Sequence, residues 1–568
     1  MQSAYELGPP VSDASMAKES SYEPFNTVDR DRTDLLRLGK KQTEKLWFRV
    51  DARLQLYHTR DLGGRPHVRI HDDSIEFPLT HIVFSILALL STSAGSLHDT
   101  PIPHSIYSGG PAGLVYGYLL VWVGTASIFA TLGELASMAP TAGGQYYWVS
   151  MLAPRSSHKF FSYVTGWLTF WGWQTAIASS AFLSGTLVQG IIVLTTPTYE
   201  PKPWHSVLLL WAAIFFAIFV NTIIGGVLPK FEGFVLILHI LGFFALLLPL
   251  IVYGPHQQAS EVFGKFVNGG DWPTQGLSCM IGLVGSVFAF GGADGAIHMS
   301  EEIHDASLVI PRSIMATLFL NGCLGFGMLL ATLFSLNDVK AAIESPTGYP
   351  FIEILVRSTG SIPGAAFMAS LVTIMQWCAN VGILASASRM CWSFARDHGL
   401  PGSRYLQHVD PRTSLPIRSI IATTSISCLL SLTVLGSSTA FNDLVSLWVA
   451  SLNSSYLLAS GLLLYHRCTG GISPYKADDL SDVIINRREY LMWGPWRIPG
   501  VYGIINNVFA CIYVIVIIFF SLWPPGQPVD ARSMNYSVLV TGAVAMFSVV
   551  YYFVWAKREY TGPVIEVN

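Results

Sequence analysis

Charge is the first thing this sequence lacks. Only 12% of its 568 residues are Asp, Glu, Lys or Arg, while 51% are hydrophobic and mean hydropathy is +0.46; soluble domains carry about 25% charge. A chain this long with so little charge cannot hide its apolar surface from water, which points to an integral membrane protein. The net charge of −3 comes without a basic patch, so nucleic acid is not expected as a partner. Cysteine is also sparse. Six of the seven fall in or at the end of apolar stretches and Cys468 just follows one, so no disulfide framework is expected. The first 76 residues contain no short apolar core, and no signal peptide is expected.

Motifs for other chemistry are missing too. There is no G-x-x-x-x-G-K-[ST], so ATP is not the expected driving force, and no C-x-x-C, H-E-x-x-H or G-x-S-x-G. His398 and His408 lie in a basic loop with no third metal ligand nearby in sequence. The expectation is a non-enzyme with no cofactor and no metal.

Long apolar runs are abundant. Stretches near the roughly 20 residues that cross a bilayer recur at about 77–97, 111–133, 161–194, 206–228, 231–253, 276–298, 314–336, 363–388, 417–436, 443–465, 502–522 and 536–556, twelve in all. Expected outer loops carry only Lys202, Lys265, Lys340, Arg357 and Arg532, far fewer basic residues than the inner segments even with the N-terminal tail set aside. Both termini are therefore expected in the cytoplasm. Residues 1–75 mix Ser, Lys, Arg, Asp and Glu and read as a largely disordered tail, with lysines suited to trafficking or ubiquitin machinery. Residues 76–556 form the transmembrane domain and 557–568 a short inner tail.

Two spans are interrupted in matching places. The sixth, "VFAFGGADGAIHMSEE", sets Gly291, Gly292 and Gly295 around Asp294, and the first carries Ser93, Ala94, Gly95 and Ser96 within "STSAGS". Glycine costs a helix about 1 kcal/mol per position, so neither span is expected to be one continuous helix. Each opens a set of five spans, about 77–253 and 276–465. Paired breaks of this kind point to a transporter site near the bilayer midplane, where exposed N–H and C=O groups hold the anionic and cationic ends of a solute.

Several long stretches resemble the fungal amino acid, GABA and choline permeases of the amino acid–polyamine–organocation superfamily. They are "SGGPAGLVYGYLLVWVGT", "GELASMAPTAGGQYYWVSMLAP", "FGGADGAIHMSEEIHDASLVIPRSI", "SRMCWSFARDHGLPGSRYLQHVDPRTSLPIRS" and "PPGQPVDARSMNYSVLVTGAV", and the likeness runs from about residue 75 to 563. It implies a leucine-transporter-like all-α membrane fold of twelve helices: two inverted five-helix repeats with helices one and six discontinuous, then extra helices at about 502–522 and 536–556. It also implies secondary active import of an amine-bearing nutrient, commonly driven by protons.

Within that resemblance Phe288, Ala289 and Phe290 occupy the stretch whose carbonyls receive the substrate amine, with packing as the alternative. The family places a basic side chain of span five where the coupling ion sits. Here His239 is the candidate, since an ordinary histidine titrates near pH 6.5; the alternative is a histidine satisfied by a neighbouring backbone. Asp294 reads either as a cap on the inner half-helix or as a contact to substrate or coupling ion. Gln174, Gln376 and Asn380 either line the cavity or bridge helices. Glu134, Glu301, Glu302 and Arg312 read as charges that pair with one another at the inner gate. Asn535-Tyr536-Ser537 fits a glycosylation acceptor close to the membrane.

"LHDTPIPH", residues 97–104, departs from the family pattern, because two prolines and an aspartate cannot continue a lipid-facing helix. An outer-vestibule loop, a mis-spliced gene model and a substrate-reading insertion using His98 or Asp99 remain open. The expected activity is import of an amino acid or GABA by alternating access, with proton coupling and residence in the plasma membrane. A choline-type permease and a non-transporting sensor are the alternatives.

Overall fold

The computed structural model describes Leu38, residues 58–60 and 66–68, and residues 108–564 apart from 224–227, 337, 339–340, 343–344, 436–439, 476–490, 525 and 531–533. The first expected span, with Ser93, Ala94, Gly95, Ser96 and the 97–104 segment, lies outside the described residues, as does nearly all of the expected tail. In the tail a short antiparallel ladder pairs β1, His58–Arg60, with β2, Pro66–Val68.

From residue 108 onward the described chain is helical or loop, apart from an isolated bridge between Ser473 and Met492. The helices are α1 Gly110–Met138, α2 Gln145–Leu152, α3 His158–Thr195, α4 Pro203–Ile223, α5 Leu228–Tyr253, α6 Gln275–Phe290, α7 Gly295–His298, α8 Ala306–Phe334, α9 Pro350–Thr359, α10 Ile362–Arg396, α11 Ile417–Ser431, α12 Ala440–Thr469, α13 Gly500–Ser521 and α14 Ser537–Tyr551. Among the described residues, nine helices are long and apolar enough to cross a membrane, and α6 and α11 are shorter apolar ones.

Local chemistry sets the ends. Thr274 caps α6 by accepting the Leu277 N–H at 3.2 Å, and Ser361 caps α10 by accepting the Gly364 N–H at 3.2 Å; each satisfies a donor that the first helical turn leaves open. Pro111 opens α1, where its missing N–H costs nothing.

Burial separates a central group from a peripheral one. In the most apolar window of α1, 72% of residues are buried, against 33% in α5 and 22% in Ser537–Glu559. The outer helices carry exposed Phe234, Ile237, Leu241, Leu539 and Phe553, the apolar faces that a bilayer covers. In the centre α3 packs along α10 and α12, and α1 packs along α6, α8 and α13. Such helices gain little from hydrophobic burial against one another, so packing and polar bridges hold them. All seven cysteines are free thiols.

One sequence expectation changes here, and a second gains a physical reason. Arg312 is exposed near the start of α8 and has no ion pair among the described residues. Asn535 is buried, and its Nδ2, the atom a glycan would occupy, donates to the Ser521 and Trp523 carbonyls at 3.0 Å each and to Ser446 Oγ at 3.3 Å. That nitrogen is committed to holding the start of α14 and is not an acceptor for sugar.

Candidate functional site

The sixth expected span is two helices. Its first part, α6, stops at Phe290, and its second part, α7, starts at Gly295. Gly291 takes an extended backbone with ψ 159°, and Gly292 has φ +95°, a conformation that side chains disfavour. Gly291 is needed for a second reason: a Cβ there would run into the Trp448 indole of α12. The connection is held by N–H donation from Gly291 to Phe288 O at 3.2 Å and from Gly295 to Gly292 O at 2.9 Å.

A small cavity opens at this break. It lies between α1, α6, α12 and α13, and its lining includes Phe129, Phe290, Gly291, Trp448, Tyr456 and Tyr513. Water-sized centres fit in about 30 Å³, room for roughly two waters at ~10–15 Å³ each. The rings support one another: Phe290 lies 4.8 Å from Tyr118, Phe288 meets Trp448 edge-on at 5.0 Å, and Phe129 meets Tyr456 edge-on at 6.5 Å. The Tyr513 hydroxyl is bonded to Thr125 Oγ1 at 3.2 Å.

The sequence-predicted residues divide. Phe290 and Gly291 line the cavity, while Phe288 and Ala289 are buried beside it. Asp294 sits at the cap position of α7, yet its side chain caps no helical N–H. Its carboxylate turns to α12, where Oδ2 accepts the Tyr456 hydroxyl; Oδ1 has no partner among the described residues.

Gln174, Gln376 and Asn380 lie away from the cavity lining and bridge helices. Gln376 donates to Ser180 Oγ at 2.8 Å, Asn380 to Ser184 Oγ at 2.7 Å, and Gln174 to Thr423 Oγ1 at 3.4 Å. His239 is buried on α5, which packs on α8, α9 and α10, and it does not line the cavity.

At the other end of α7 the charges are closely matched. Glu301 is gripped by both terminal nitrogens of Arg396 at 2.8 Å and accepts the Ala142 N–H at 3.1 Å. Glu302 accepts Arg389 Nε at 2.7 Å. Arg389 and Arg396 stand seven residues apart, on one face of α10. His298 Nδ1 lies 2.9 Å from the Ala142 carbonyl, so α7 is tied to the loop before α2. Glu134 pairs with Arg467 and accepts the Ile498 N–H at 2.7 Å. The glutamates pair with Arg389, Arg396 and Arg467, and not with Arg312.

Trp448, Tyr456, Tyr513 and Phe129 went unnoticed in the sequence, as did the three arginines. A signal existed for the first two: Trp448, Leu452 and Tyr456 recur every four residues and share one face of α12.

Comparison with known proteins is consistent along the chain. A family model described as amino acid permease matches residues 79–544. The chain is 30% identical to a choline transporter of Saccharomyces cerevisiae over 484 residues, covering 84% of this chain and 82% of that one. It is 25% identical to a GABA-specific permease of the same yeast, covering 86% and 82%. It is 24% identical to amino-acid permease 2 of Neurospora crassa, covering 84% and 85%.

Proposed function

We propose, for a chain that belongs to the amino acid permease family and so is an integral membrane transporter rather than an enzyme, that the cavity at the α6–α7 break is its solute site. The solute is a small amine-bearing molecule, an amino acid or GABA. Its amine end seats where α6 presents its last free carbonyls, the negative end of a helix. Phe288, Ala289, Phe290, Gly291 and Asp294 form this side of the site, and Ser93, Ala94, Gly95 and Ser96 of the first span complete it.

The observation that supports this reading is the interrupted helix itself. Irregular backbone at membrane depth is tolerated where it lines a cavity, and here it does. The wider reading follows: twelve spans as two inverted repeats plus two helices, both termini inside, a plasma-membrane location, and secondary active import by alternating access. Protons drive it, and His239 of α5 is the carrier that the sequence suggests, with Asp294 at the break the second titratable candidate. Glu134, Glu301 and Glu302, locked to arginines, hold the inner gate, and the N-terminal tail meets the trafficking machinery.

A specific observation favours a second solute. Five aromatic rings border the cavity, from Phe129, Phe290, Trp448, Tyr456 and Tyr513, and aromatic faces recognise quaternary ammonium groups. Choline fits such a lining, as does any methylated ammonium without N–H donors.

The test is uptake of labelled GABA and labelled choline by yeast lacking its own permeases and expressing the full chain. It is run at acidic and near-neutral external pH, with amino acids as competitors. Uptake of either solute, faster in acid, supports the reading. Absence of uptake of both, and of any competing amino acid, with the protein at the cell surface, overturns it.

A further inference from the structure

Asp294 differs from the other buried carboxylates among the described residues. Glu134, Glu301 and Glu302 each hold an arginine, and Asp397 accepts the Tyr146 hydroxyl and the Val564 N–H, both at 2.9 Å. Asp294 is fully buried, and its one side-chain donor is the neutral Tyr456 hydroxyl at Oδ2. The backbone N–H groups of Asp294 and Gly292 also face the carboxylate, and Oδ1 has no well-directed hydrogen bond among the described residues. An ionised carboxylate so placed carries a charge that no cation among the described residues offsets, and such a charge is costly to bury.

Among the described residues its surroundings offer no cation. From α12 it faces Tyr456. From α10, Ser386 lies against the neighbouring Gly295, while Arg389 is engaged by Glu302. From α3, Trp173 lies there, edge-on to His298 at 5.4 Å. His298 of α7 has its Nδ1 on a backbone carbonyl, and from α1 the near ring is Phe129, in contact with Tyr456. No ion pair to Asp294 occurs among the described residues. Meanwhile Tyr456 lines the cavity, so one hydrogen bond separates this carboxyl from the solute.

We infer that Asp294, and not His239, carries the coupling proton, with Tyr456 as its positioning residue. The inference rests on the proton coupling proposed above. On the acidic side a hydronium ion gives its proton to Oδ1, forming an O–H bond and leaving water, and the carboxyl becomes neutral. Tyr456 continues to donate to Oδ2 and holds the group in place as the solute settles against the rings. On the neutral side water takes the proton back from Oδ1, and the uncompensated charge returns only after the solute can leave. Proton and solute are thereby loaded together through Tyr456.

The experiment uses the full chain in the same yeast, with whichever of labelled GABA or choline the wild type imports. Asp294→Asn, Tyr456→Phe and His239→Gln are compared at the cell surface. Two quantities are read: the amount of uptake, and its ratio at acidic to near-neutral pH. In Asp294→Asn, a fixed mimic of the protonated carboxyl, uptake is expected to fall and what remains to lose its pH dependence, its acid-to-neutral ratio dropping to about one. His239→Gln is expected to keep a wild-type ratio. Tyr456→Phe is expected to move the acid limb toward alkaline pH, because the ionised form loses its only side-chain donor.

Wild-type acid stimulation in Asp294→Asn overturns the inference and leaves proton coupling standing. Loss of acid stimulation in His239→Gln together with an unmoved profile in Tyr456→Phe also overturns it. Should Asp294→Asn fail to reach the surface, the shift in Tyr456→Phe decides. A wild type indifferent to pH removes proton coupling itself, and this inference falls with it.

Discussion

The two ends of α7 hold carboxylates under opposite terms. Past its C-terminal end Glu301 and Glu302 are buried against Arg396 and Arg389, with short, well-directed bonds. At its N-terminal end Asp294 is just as buried, and its one side-chain partner is a neutral hydroxyl. The C-terminal end is satisfied as it stands, locked charge to charge. The N-terminal end keeps a carboxylate with no cation among the described residues, beside a cavity. Buried groups that the fold completes hold shape, and a buried group that the fold leaves incomplete marks where a ligand or proton acts.

Breaking the lock should have the largest effect. Arg389→Met leaves Glu302 buried without its arginine, a loss of about 3–5 kcal/mol, seen as reduced surface abundance and a lower unfolding temperature of purified protein. Replacing both Arg389 and Glu302 by Met should recover most of that loss. A double variant no better than the single would show that the pair does not act as a unit.

Filling the break comes next. Gly291→Ala puts a methyl group into the Trp448 indole, and overpacking of this kind costs about 1–3 kcal/mol. Uptake should fall sharply, and adding Trp448→Phe, which trims the ring, should restore part of it. Unimpaired uptake in Gly291→Ala would mean that the close approach is not needed for transport.

Removing a ring tests the cavity more gently. If the solute carries a quaternary ammonium, Trp448→Leu forfeits about 0.5–2 kcal/mol of cation–π attraction, which raises the half-saturating choline concentration by roughly 2- to 30-fold. An unchanged value would place the ammonium elsewhere. Smallest of all is the exposed Lys265–Glu261 pair, four residues apart at 2.8 Å. Lys265→Ala should change stability by less than about 0.5 kcal/mol, and a larger loss would show that surface pairs matter here as much as buried ones.

Much of the helical layout was legible in the sequence. The expected span at 276–298 corresponds to α6 and α7 with the interruption at its glycines, and 502–522 corresponds to α13 within two residues. Helices whose charged ends are buried were read too short. The span expected at 363–388 continues as α10 to the buried Arg396; the one expected at 314–336 also starts eight residues earlier, at Ala306, as α8, although its charge there, Arg312, is exposed. Hydropathy stops at the first charge, whereas the α10 helix runs on because its arginines find Glu302 and Glu301. The polar residues of α3 and α10 had two readings, cavity or bridge, and only their facing serines decide for the bridge.

By itself the sequence determined that this chain lives in a membrane, roughly where its helices run, and that one of them breaks at Gly291–Asp294. Those are local properties: apolar length, scarcity of charge and the conformational freedom of glycine act over a few turns at most. Tertiary structure alone decided which arginine meets which glutamate, across 87 and 95 residues. It also decided which rings from α1, α12 and α13 gather at the break, and that Asp294 turns to Tyr456 across 162 residues instead of capping its own helix. Such partners are chosen by how helices pack in three dimensions, where one face of α12 meets the gap in α6–α7, and no window along the chain contains both.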